Sequence, residues 1–374
     1  MSLHELTDEQ REIRDLARRF ADEVIAPDAA RWDHDHEFPT DVFRQLGELG
    51  LMGVCVPAEH AGAGADFLAY VLVLEELSRG DAGVGVTVAV HTSACTLPLL
   101  AHGSVEQVGA LVPALAQGHE IGAFALTESG SGSDAGAMLT RATDDCLISG
   151  TKQWITNGSH AHTFLVFAKD PAKPSCFVVR RGAAGFRVTR EEEKMGLNSS
   201  STADLAFEDT PGDRMGPAGG GMRIALSTLD GGRIGIAAQA VGIAQAALDA
   251  AVAYAKERRT FGKPIGGHQA IQQKLADMQT SVEAARALTW RAARAKEAGR
   301  PHTVEGAQAK LFASRVAREV TGEAIQVLGG YGYTKEFPVE RYYRDAKVTE
   351  IYEGTSEIQR LVIARALLGE AARD

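Results

Sequence analysis

One glycine- and serine-rich stretch contains residue types that can bind a phosphate or a flavin. Residues 130–135 read GSGSDA, which formally matches the G-x-G-x-x-A dinucleotide-binding fingerprint. That fingerprint requires a preceding strand, a following helix and an acidic residue about 20 positions later, within a βαβ unit. The residues that follow here resemble further strands, so the sequence does not predict a Rossmann fold. The stretch still offers backbone N–H groups and hydroxyls to a phosphate or to the edge of a flavin ring.

Histidine pairs and cysteines are the remaining candidates for metal or thiol chemistry. His34 and His36 form one pair and His160 and His162 another, and neither has a third ligand at the usual zinc spacing. No two of the four cysteines form a C-x-x-C pair. They are Cys55, Cys95, Cys146 and Cys176. We therefore expect no metal site, reduced thiols and a cytoplasmic location.

Composition excludes several classes of protein. The chain has 374 residues, of which 45% are apolar, enough for a sizeable core. Its 39 basic and 49 acidic residues give a net charge of −10, and no basic run predicts nucleic-acid binding. No uncharged apolar run approaches about 18 residues, so no membrane span is predicted. The charged, amphipathic N-terminus predicts no signal peptide.

Hydrophobic periodicity divides the chain into three parts. Helical stretches are predicted around 40–50, 66–80 and 105–116, after a first helix that begins at the capping-box-like residues Thr7–Gln10. From Ile121 to about residue 213, short segments rich in Val, Phe, Thr and Ile predict a small antiparallel β-domain. Long Ala- and Leu-rich segments then predict bundle helices near 222–256, 268–298 and 303–328.

The predicted fold is therefore α+β with three domains. An α-helical domain spans 1–118, a β-barrel-like domain spans 119–216, and a domain of four-helix-bundle type spans 217–374. The acidic residue Glu353, taken alone, is typical of a solvated loop or of a helix N-cap.

Four motifs lie in order along this framework. They are LTESGSGSD (126–134), KQWITNG (152–158), QVLGGYGY (326–333) with the later Arg341, Arg344 and Asp345, and IYEGTSEIQR (351–360). With these motifs the chain resembles the acyl-CoA dehydrogenase family over nearly its whole length, in the order and spacing of the three parts as well.

The resemblance implies a reaction and a base. An acyl-CoA thioester would lose an α-proton and a β-hydride and become a trans-2-enoyl-CoA, with FAD N5 as the hydride acceptor because no side chain accepts a hydride. Glu353 matches the family's base, and its backbone N–H and a ribityl hydroxyl would bind the thioester oxygen. Some branched-chain and long-chain members carry the base at the position of Gly232, where glycine cannot serve.

The resemblance also implies residues that bind the cofactor and the substrate. The FAD-binding set comprises Phe124, Leu126, Thr127, Gly132, Ser133, Trp154, Ile155, Thr156, Arg258, Phe261, Gln269, Gln326, Gly329, Gly330, Thr355 and Glu357. The set for CoA and the acyl group comprises Ser133, Asp230, Arg233, Tyr352 and Gly354. In the family, residues matching Arg258, Phe261 and Gln269 reach the FAD of a neighbouring subunit, which implies an oligomer, expected as a homotetramer built from two dimers.

The motifs most resemble the short-chain, butyryl-CoA-type members, whose reduced flavin passes electrons to an electron-transfer flavoprotein. Three alternatives stay open at this stage. One is an acyl-CoA oxidase, and another is a relative on the same scaffold that acts on branched or carrier-bound acyl groups. The third is a non-catalytic acyl-CoA-binding protein, which would lack FAD.

Overall fold

The computed structural model describes residues 5–171 and 173–372. Its first part contains α-helices whose buried apolar residues belong to two clusters. They are α1 (Asp8–Phe20), α2 (Ala29–Asp35), α3 (Thr40–Glu48), α4 (Phe67–Gly80), α5 (Ala82–Ala89), α6 (Leu97–His102) and α7 (Val105–Ala116). The predicted capping box is confirmed, because Thr7 and Gln10 each accept the other's backbone N–H. The three predicted helical stretches are confirmed as α3, α4 and α7.

The segment from α5 to α6 is helical although its glycines and β-branched residues disfavour a helix. Asp81 caps α5 by accepting the backbone N–H of Val84 at 2.9 Å, and a π-helical stretch, Val90–Thr96, continues to α6. Residues 81–96 are all buried. Packing of this segment against α8 and the sheet therefore outweighs its weak helix propensity, which is why the sequence did not predict it.

Two helical stretches, Ala82–His102 and Gly221–Glu257, are long and apolar enough to cross a membrane by length and composition alone. The sequence analysis predicted no membrane span. Within the fold, 83% and 72% of their most apolar windows are buried against other parts of the protein. Both stretches are core helices of this fold.

The middle part is a sheet. Its strands are β1 (Gly122–Ala125), β2 (Arg141–Ala142), β3 (Leu147–Thr156), β4 (Thr163–Asp170), β5 (Lys173–Arg180), β6 (Phe186–Glu191), β7 (Thr202–Pro211) and β8 (Asp213–Met215). The order is β6-β7-β3-β2-β4-β5-β8, with β1 beside β4. The predicted antiparallel pairing needs one correction, since β1 and β2 pair with β4 in parallel. The long path from β1 to β4 through β3 permits this, whereas a tight hairpin would not.

The last part contains the three predicted long helices and two shorter ones. They are α8 (Gly221–Glu257), α9 (Gln269–Glu297), α10 (Thr303–Leu328), α11 (Val339–Val348) and α12 (Ser356–Leu368). A short hairpin of β9 (Arg259–Thr260) and β10 (Lys263–Pro264) separates α8 from α9. The helix α8 packs against α4 as well as α9 and α10, so the two helical parts share one core.

Polar contacts of α11 join all three parts. Arg344 binds both carboxylate oxygens of Asp33 in α2, at 2.9 and 2.6 Å, and Asn198 of the middle part also donates to Asp33 at 2.9 Å. The buried Asp345 accepts the backbone N–H of Leu197 at 2.6 Å. We propose to divide the chain at 118/119 and 216/217, which fall between α7 and β1 and between β8 and α8.

Candidate active site

The loop between α11 and α12 presents Glu353. Its backbone is left-handed, with φ 53°, and Gly354 follows with φ 90°. A left-handed residue that carries a Cβ costs about 1–3 kcal/mol and persists only where its surroundings impose it. Thr355 then caps α12 by accepting the backbone N–H of Ile358 at 3.3 Å. The carboxylate is therefore carried by a fixed turn immediately before a helix.

Gly232 of α8 lies against the Glu353 carboxylate. A Cβ at position 232 would overlap Oε2 of Glu353 and lie 3.0 Å from its Cδ. Gly231 and Gly232 are consecutive inside a helix, where each glycine costs about 1 kcal/mol relative to alanine. At Gly232 the missing side chain leaves room for the carboxylate. Position 353 and position 232, which the sequence resemblance gave as the two places for a base, thus meet in space.

The surroundings of Glu353 give its carboxylate the properties of a base. Burial raises the pKa of Glu353 to about 7, and the positive charges of Lys310 and Arg233 oppose that rise. Oε2 is buried and has no hydrogen-bond partner among the described residues, although the residue as a whole is partly exposed. A carboxylate with a pKa near neutrality and a free oxygen can accept a proton from a bound substrate.

Four of the five predicted substrate-binding residues lie around this carboxylate or on the adjoining turn of α8. Tyr352 and Gly354 flank Glu353 in the loop. On α8, Arg233 donates to Asp230 at 2.6 Å, and Nε of the buried Arg233 has no partner within the part of the chain that the structure describes. The fifth residue, Ser133, lies exposed on the loop between β1 and β2 of the middle part.

The predicted FAD-binding residues of the middle part form one group. The end of β1 lies beside β3, because the backbone N–H of Gln153 donates to Thr127 at 2.8 Å and Lys152 donates to the Leu126 carbonyl at 2.8 Å. A bulge in β3 holds Trp154 left-handed, with φ 57°, and leaves this residue 55% exposed. The other members on these segments are Phe124, Ile155 and Thr156, and the exposed loop that follows adds Gly132 and Ser133.

Hydrogen bonds connect the loop that carries Glu353 with this strand group through α5. The Tyr352 hydroxyl donates to Gln239 of α8, and Gln239 donates to the Ala82 carbonyl at the start of α5 at 2.9 Å. At the other end of the same helix, Asn157 donates to the Thr87 carbonyl at 3.1 Å. One buried helix thus separates Tyr352 from the residues that follow Trp154.

A second group of predicted FAD-binding residues lies elsewhere on the last part. The Arg258 guanidinium stacks over Tyr331, 5.6 Å from the ring centre, in a cleft of about 730 Å³ that Tyr254 and Phe337 also line. Phe261 in the β9–β10 turn is 95% exposed. Within the described ranges, no hydrogen bond joins Arg258, Phe261 or Gln269 to the middle part. The remaining members, Gln326, Gly329, Gly330 and Glu357, are also exposed, whereas Thr355 is partly buried.

Comparison with known proteins identifies the family. Sequence models of the acyl-CoA dehydrogenase N-terminal, middle and C-terminal domains match residues 7–119, 123–210 and 219–368. The chain belongs to the acyl-CoA dehydrogenase family. It is 50% identical to the mitochondrial short-chain specific acyl-CoA dehydrogenase of Bos taurus, over 97% of this chain and 91% of that protein.

Solved structures agree with the family assignment and confirm the predicted fold class. A chain described with the electron transferring flavoprotein of Acidaminococcus fermentans has a TM-score of 0.97 and 45% identity, covering 98% of this chain and 99% of that one. Butyryl-CoA dehydrogenase of Megasphaera elsdenii has a TM-score of 0.95 and 43% identity, covering 97% and 99%. An acyl-CoA dehydrogenase of Bacillus anthracis complexed with FAD has a TM-score of 0.94 and 33% identity, covering 99% and 68%.

The sequence analysis missed two buried polar residues at this candidate site. Lys310 of α10 donates from Nζ to the carbonyls of Tyr352 and Gly354, at 2.8 and 2.5 Å. Gln239 is the second. Lys310 falls on the buried stripe of small residues along α10, and a lysine at such a position was the available signal. Gln239 likewise interrupts a run of apolar residues in α8.

No group of three or more His, Cys, Asp or Glu side chains that could hold a metal occurs among the described residues. His34 lies beside Asp35, and His160 stacks on Phe38 with ring centres 3.9 Å apart. All four cysteines are free thiols.

Proposed function

We propose that this protein catalyses the FAD-dependent α,β-dehydrogenation of short-chain acyl-CoA thioesters to trans-2-enoyl-CoA. The observation that carries the proposal is the partly exposed Glu353, whose buried Oε2 is free and whose pKa burial raises to about 7. In this reaction Glu353 removes the α-proton. Its raised pKa makes it a stronger base than an ordinary carboxylate and leaves it largely ionised just above neutral pH.

The α-proton becomes acidic enough only if the thioester oxygen is bound by hydrogen-bond donors. The backbone N–H of Glu353 donates to no acceptor among the described residues. We propose that it donates to the thioester oxygen, so that one residue supplies both the base and a donor. The Tyr352 and Gly354 carbonyls on either side are already bound by Lys310, which fixes the peptide groups that orient this N–H.

The residues of the middle part suit a flavin. When bound, FAD supplies the acceptor for the β-hydride. The exposed ring of Trp154, held out by the bulge, offers an aromatic surface, and the partly buried Thr127 and Thr156 offer hydroxyls beside it. Phe124, Leu126 and Ile155 would line the apolar side of the ring, with Gly132 and Ser133 on the adjacent loop. Thr355 and Glu357 would add contacts from the start of α12.

We infer the preference for short acyl chains from one face of α8. This face begins at the Glu353 carboxylate and carries, at helical spacing, Gly232, Gly235 and Gln239. Gln239 lies about 10 Å along the axis from Gly232. We propose that its hydrogen bonds to Tyr352 and Ala82 form the end of the acyl-binding space. Next to Gly235, the Tyr70 hydroxyl further narrows this space. A long acyl chain would have to break these buried contacts.

Exposed residues support the proposed assembly. Arg258, Phe261 and Gln269 are exposed, and no hydrogen bond among the described residues joins them to the middle part. The cleft beside Arg258 is lined by aromatic rings that suit an adenine and by a guanidinium that suits a pyrophosphate. We propose that they complete the FAD site of a neighbouring subunit, together with Gln326, Gly329 and Gly330, in a homotetramer. Electron-transfer flavoprotein is the proposed acceptor, docking near Trp154, and the cytoplasm is the proposed location.

The test is anaerobic titration of the purified protein with acyl-CoAs of increasing chain length. We expect a yellow protein whose flavin absorbance bleaches fastest with a four-carbon acyl group. A colourless protein that binds acyl-CoA would indicate a binding protein. Release of hydrogen peroxide at a rate equal to turnover with an electron-transfer flavoprotein would indicate an oxidase.

A further inference from the structure

Lys310 is a fully buried cation that contacts the loop carrying Glu353. Its Nζ donates to the carbonyl of Tyr352 at 2.8 Å and to that of Gly354 at 2.5 Å. These two carbonyls belong to the residues on either side of Glu353. An ammonium group has three donors and no acceptor, so one side chain of α10 binds the loop on both sides of the base.

We propose that Lys310 is a positioning residue for the α-proton base, holding Glu353 in its left-handed conformation and its carboxylate against Gly232. The inference rests on the proposed function, in which Glu353 is the base. A φ of 53° at a glutamate is unfavourable by about 1–3 kcal/mol and needs external contacts to persist. Gln359 assists by donating to the Gly354 carbonyl at 2.8 Å.

The other fully buried lysine, Lys152, differs from Lys310 in how its charge is compensated. Lys152 forms an ion pair with Glu128 at 2.9 Å, so its charge is compensated directly. Lys310 has no carboxylate within 4.0 Å among the described residues. Burying an uncompensated ammonium is costly. Here its donors go to the two carbonyls that orient Glu353, which is the arrangement that a positioning role requires.

The charge of Lys310 has a second effect on the same base. Burial lowers the pKa of Lys310 to about 8, so the ammonium form predominates at neutral pH. Its charge, together with that of Arg233, opposes the rise in the pKa of Glu353. Glu350 and Glu357 are the other charged groups that act on Lys310. Removing the ammonium should therefore displace the loop and also raise the pKa of Glu353.

The experiment compares FAD-loaded variants in anaerobic single-turnover bleaching with butyryl-CoA from about pH 6 to about pH 9. In Lys310→Met, which keeps the length but loses donors and charge, we expect the limiting rate to fall by about 10²-fold, with little change in substrate affinity. The apparent pKa of the rate should rise by about 1. Gln359→Met is the matched control, because it removes a neutral donor from the same Gly354 carbonyl. It should slow the reaction less and leave the apparent pKa unchanged.

Each outcome decides between the possible roles. A wild-type rate and pH profile in FAD-loaded Lys310→Met would overturn the proposal. If that variant does not bind FAD, Lys310→Gln, which keeps a donor, is measured instead, and loss of FAD from both would assign Lys310 a purely structural role. The Glu353→Gln variant distinguishes failure of the proposed function from failure of the positioning role of Lys310. If it still bleaches, the proposed function fails, whereas an inactive Glu353→Gln beside an unaffected Lys310→Met removes only the positioning role.

Discussion

Moving the carboxylate from position 353 to position 232 tests the base assignment directly. The two positions share one space, since a Cβ at 232 would overlap Oε2 of Glu353. Glu353→Gly removes the base without straining the loop, because a φ of 53° suits glycine better than glutamate. Gly232→Glu in that background then places a carboxylate on α8 beside the vacated space.

The expected magnitudes follow from the geometry. Glu353→Gly should lower the rate of flavin bleaching by at least about 10²-fold, the low end for loss of a general base, which corresponds to about 2.7 kcal/mol in the activation free energy. Gly232→Glu in the same chain should restore at least about tenfold of that loss. Gly232→Ala alone should slow an otherwise unchanged enzyme, because the carboxylate must move by about 1 Å, a displacement that can cost about 10²-fold.

The assay is anaerobic stopped-flow bleaching with butyryl-CoA, at matched FAD content. Gly231→Ala is the control, since its Cβ would meet only the flexible end of Lys296, at 3.1 Å from Nζ, and its rate should stay near that of the unchanged enzyme. Wild-type bleaching by Glu353→Gly would refute the base assignment. An unaffected Gly232→Ala would refute the claim that the missing side chain at position 232 makes room for the carboxylate.

Three further predictions concern pH, cofactor sharing and stability. Because burial raises the pKa of Glu353 to about 7, the bleaching rate should fall as the pH drops below about 7, and a rate that stays flat from about pH 6 to about pH 8 would contradict this. The Arg258→Ala variant should release FAD on dilution more readily than the control Lys256→Ala, and sedimentation followed by flavin absorbance measures this release. A monomer that carries a full complement of FAD would contradict the shared site. Burial beside Asp81 raises the pKa of Asp345 to about 7, so the folded protein holds a proton that the unfolded chain releases. The stability that this proton contributes is complete below about pH 4 and is lost as the pH rises through about 7. The melting temperature should therefore fall from about pH 5.5 to about pH 8. It should fall less in Asp345→Asn, whose side chain can still accept the Leu197 N–H. An equal fall in both proteins would contradict the raised pKa of Asp345.

The periodic elements were predictable because their patterns are local. The capping box at Thr7 and the long helices α8, α9 and α10 follow from residues within a few turns of one another. The helical segment from α5 to α6 was not predictable in this way. Its glycines at 83 and 85 oppose a helix, and only burial against α8 and the sheet makes it helical. The parallel pairing of β1 with β4 likewise depends on partners far along the chain.

Within the candidate site, the motifs supplied the candidate residues, but their geometry could not be predicted from them. The motif around Glu353 placed it in a loop, but not in a left-handed conformation against Gly232. Lys310 lies in no motif, and its role is visible only once α10 packs beneath the loop. Tertiary contacts between distant segments set both features, and a local pattern does not encode such contacts.

Three local rules are broken at this one place, and each violation is understandable only with the others. A glutamate takes a left-handed backbone, two consecutive glycines lie inside a long helix, and a lysine is buried with no carboxylate within ion-pair distance among the described residues. Gly232 leaves room for the Glu353 carboxylate, and Lys310 binds the carbonyls that keep the turn in place. Natural sequences tend to violate local preferences at functional sites and to compensate through packing elsewhere. The convergence of three such violations on one free carboxylate oxygen is thus independent structural support for placing the chemistry at Glu353.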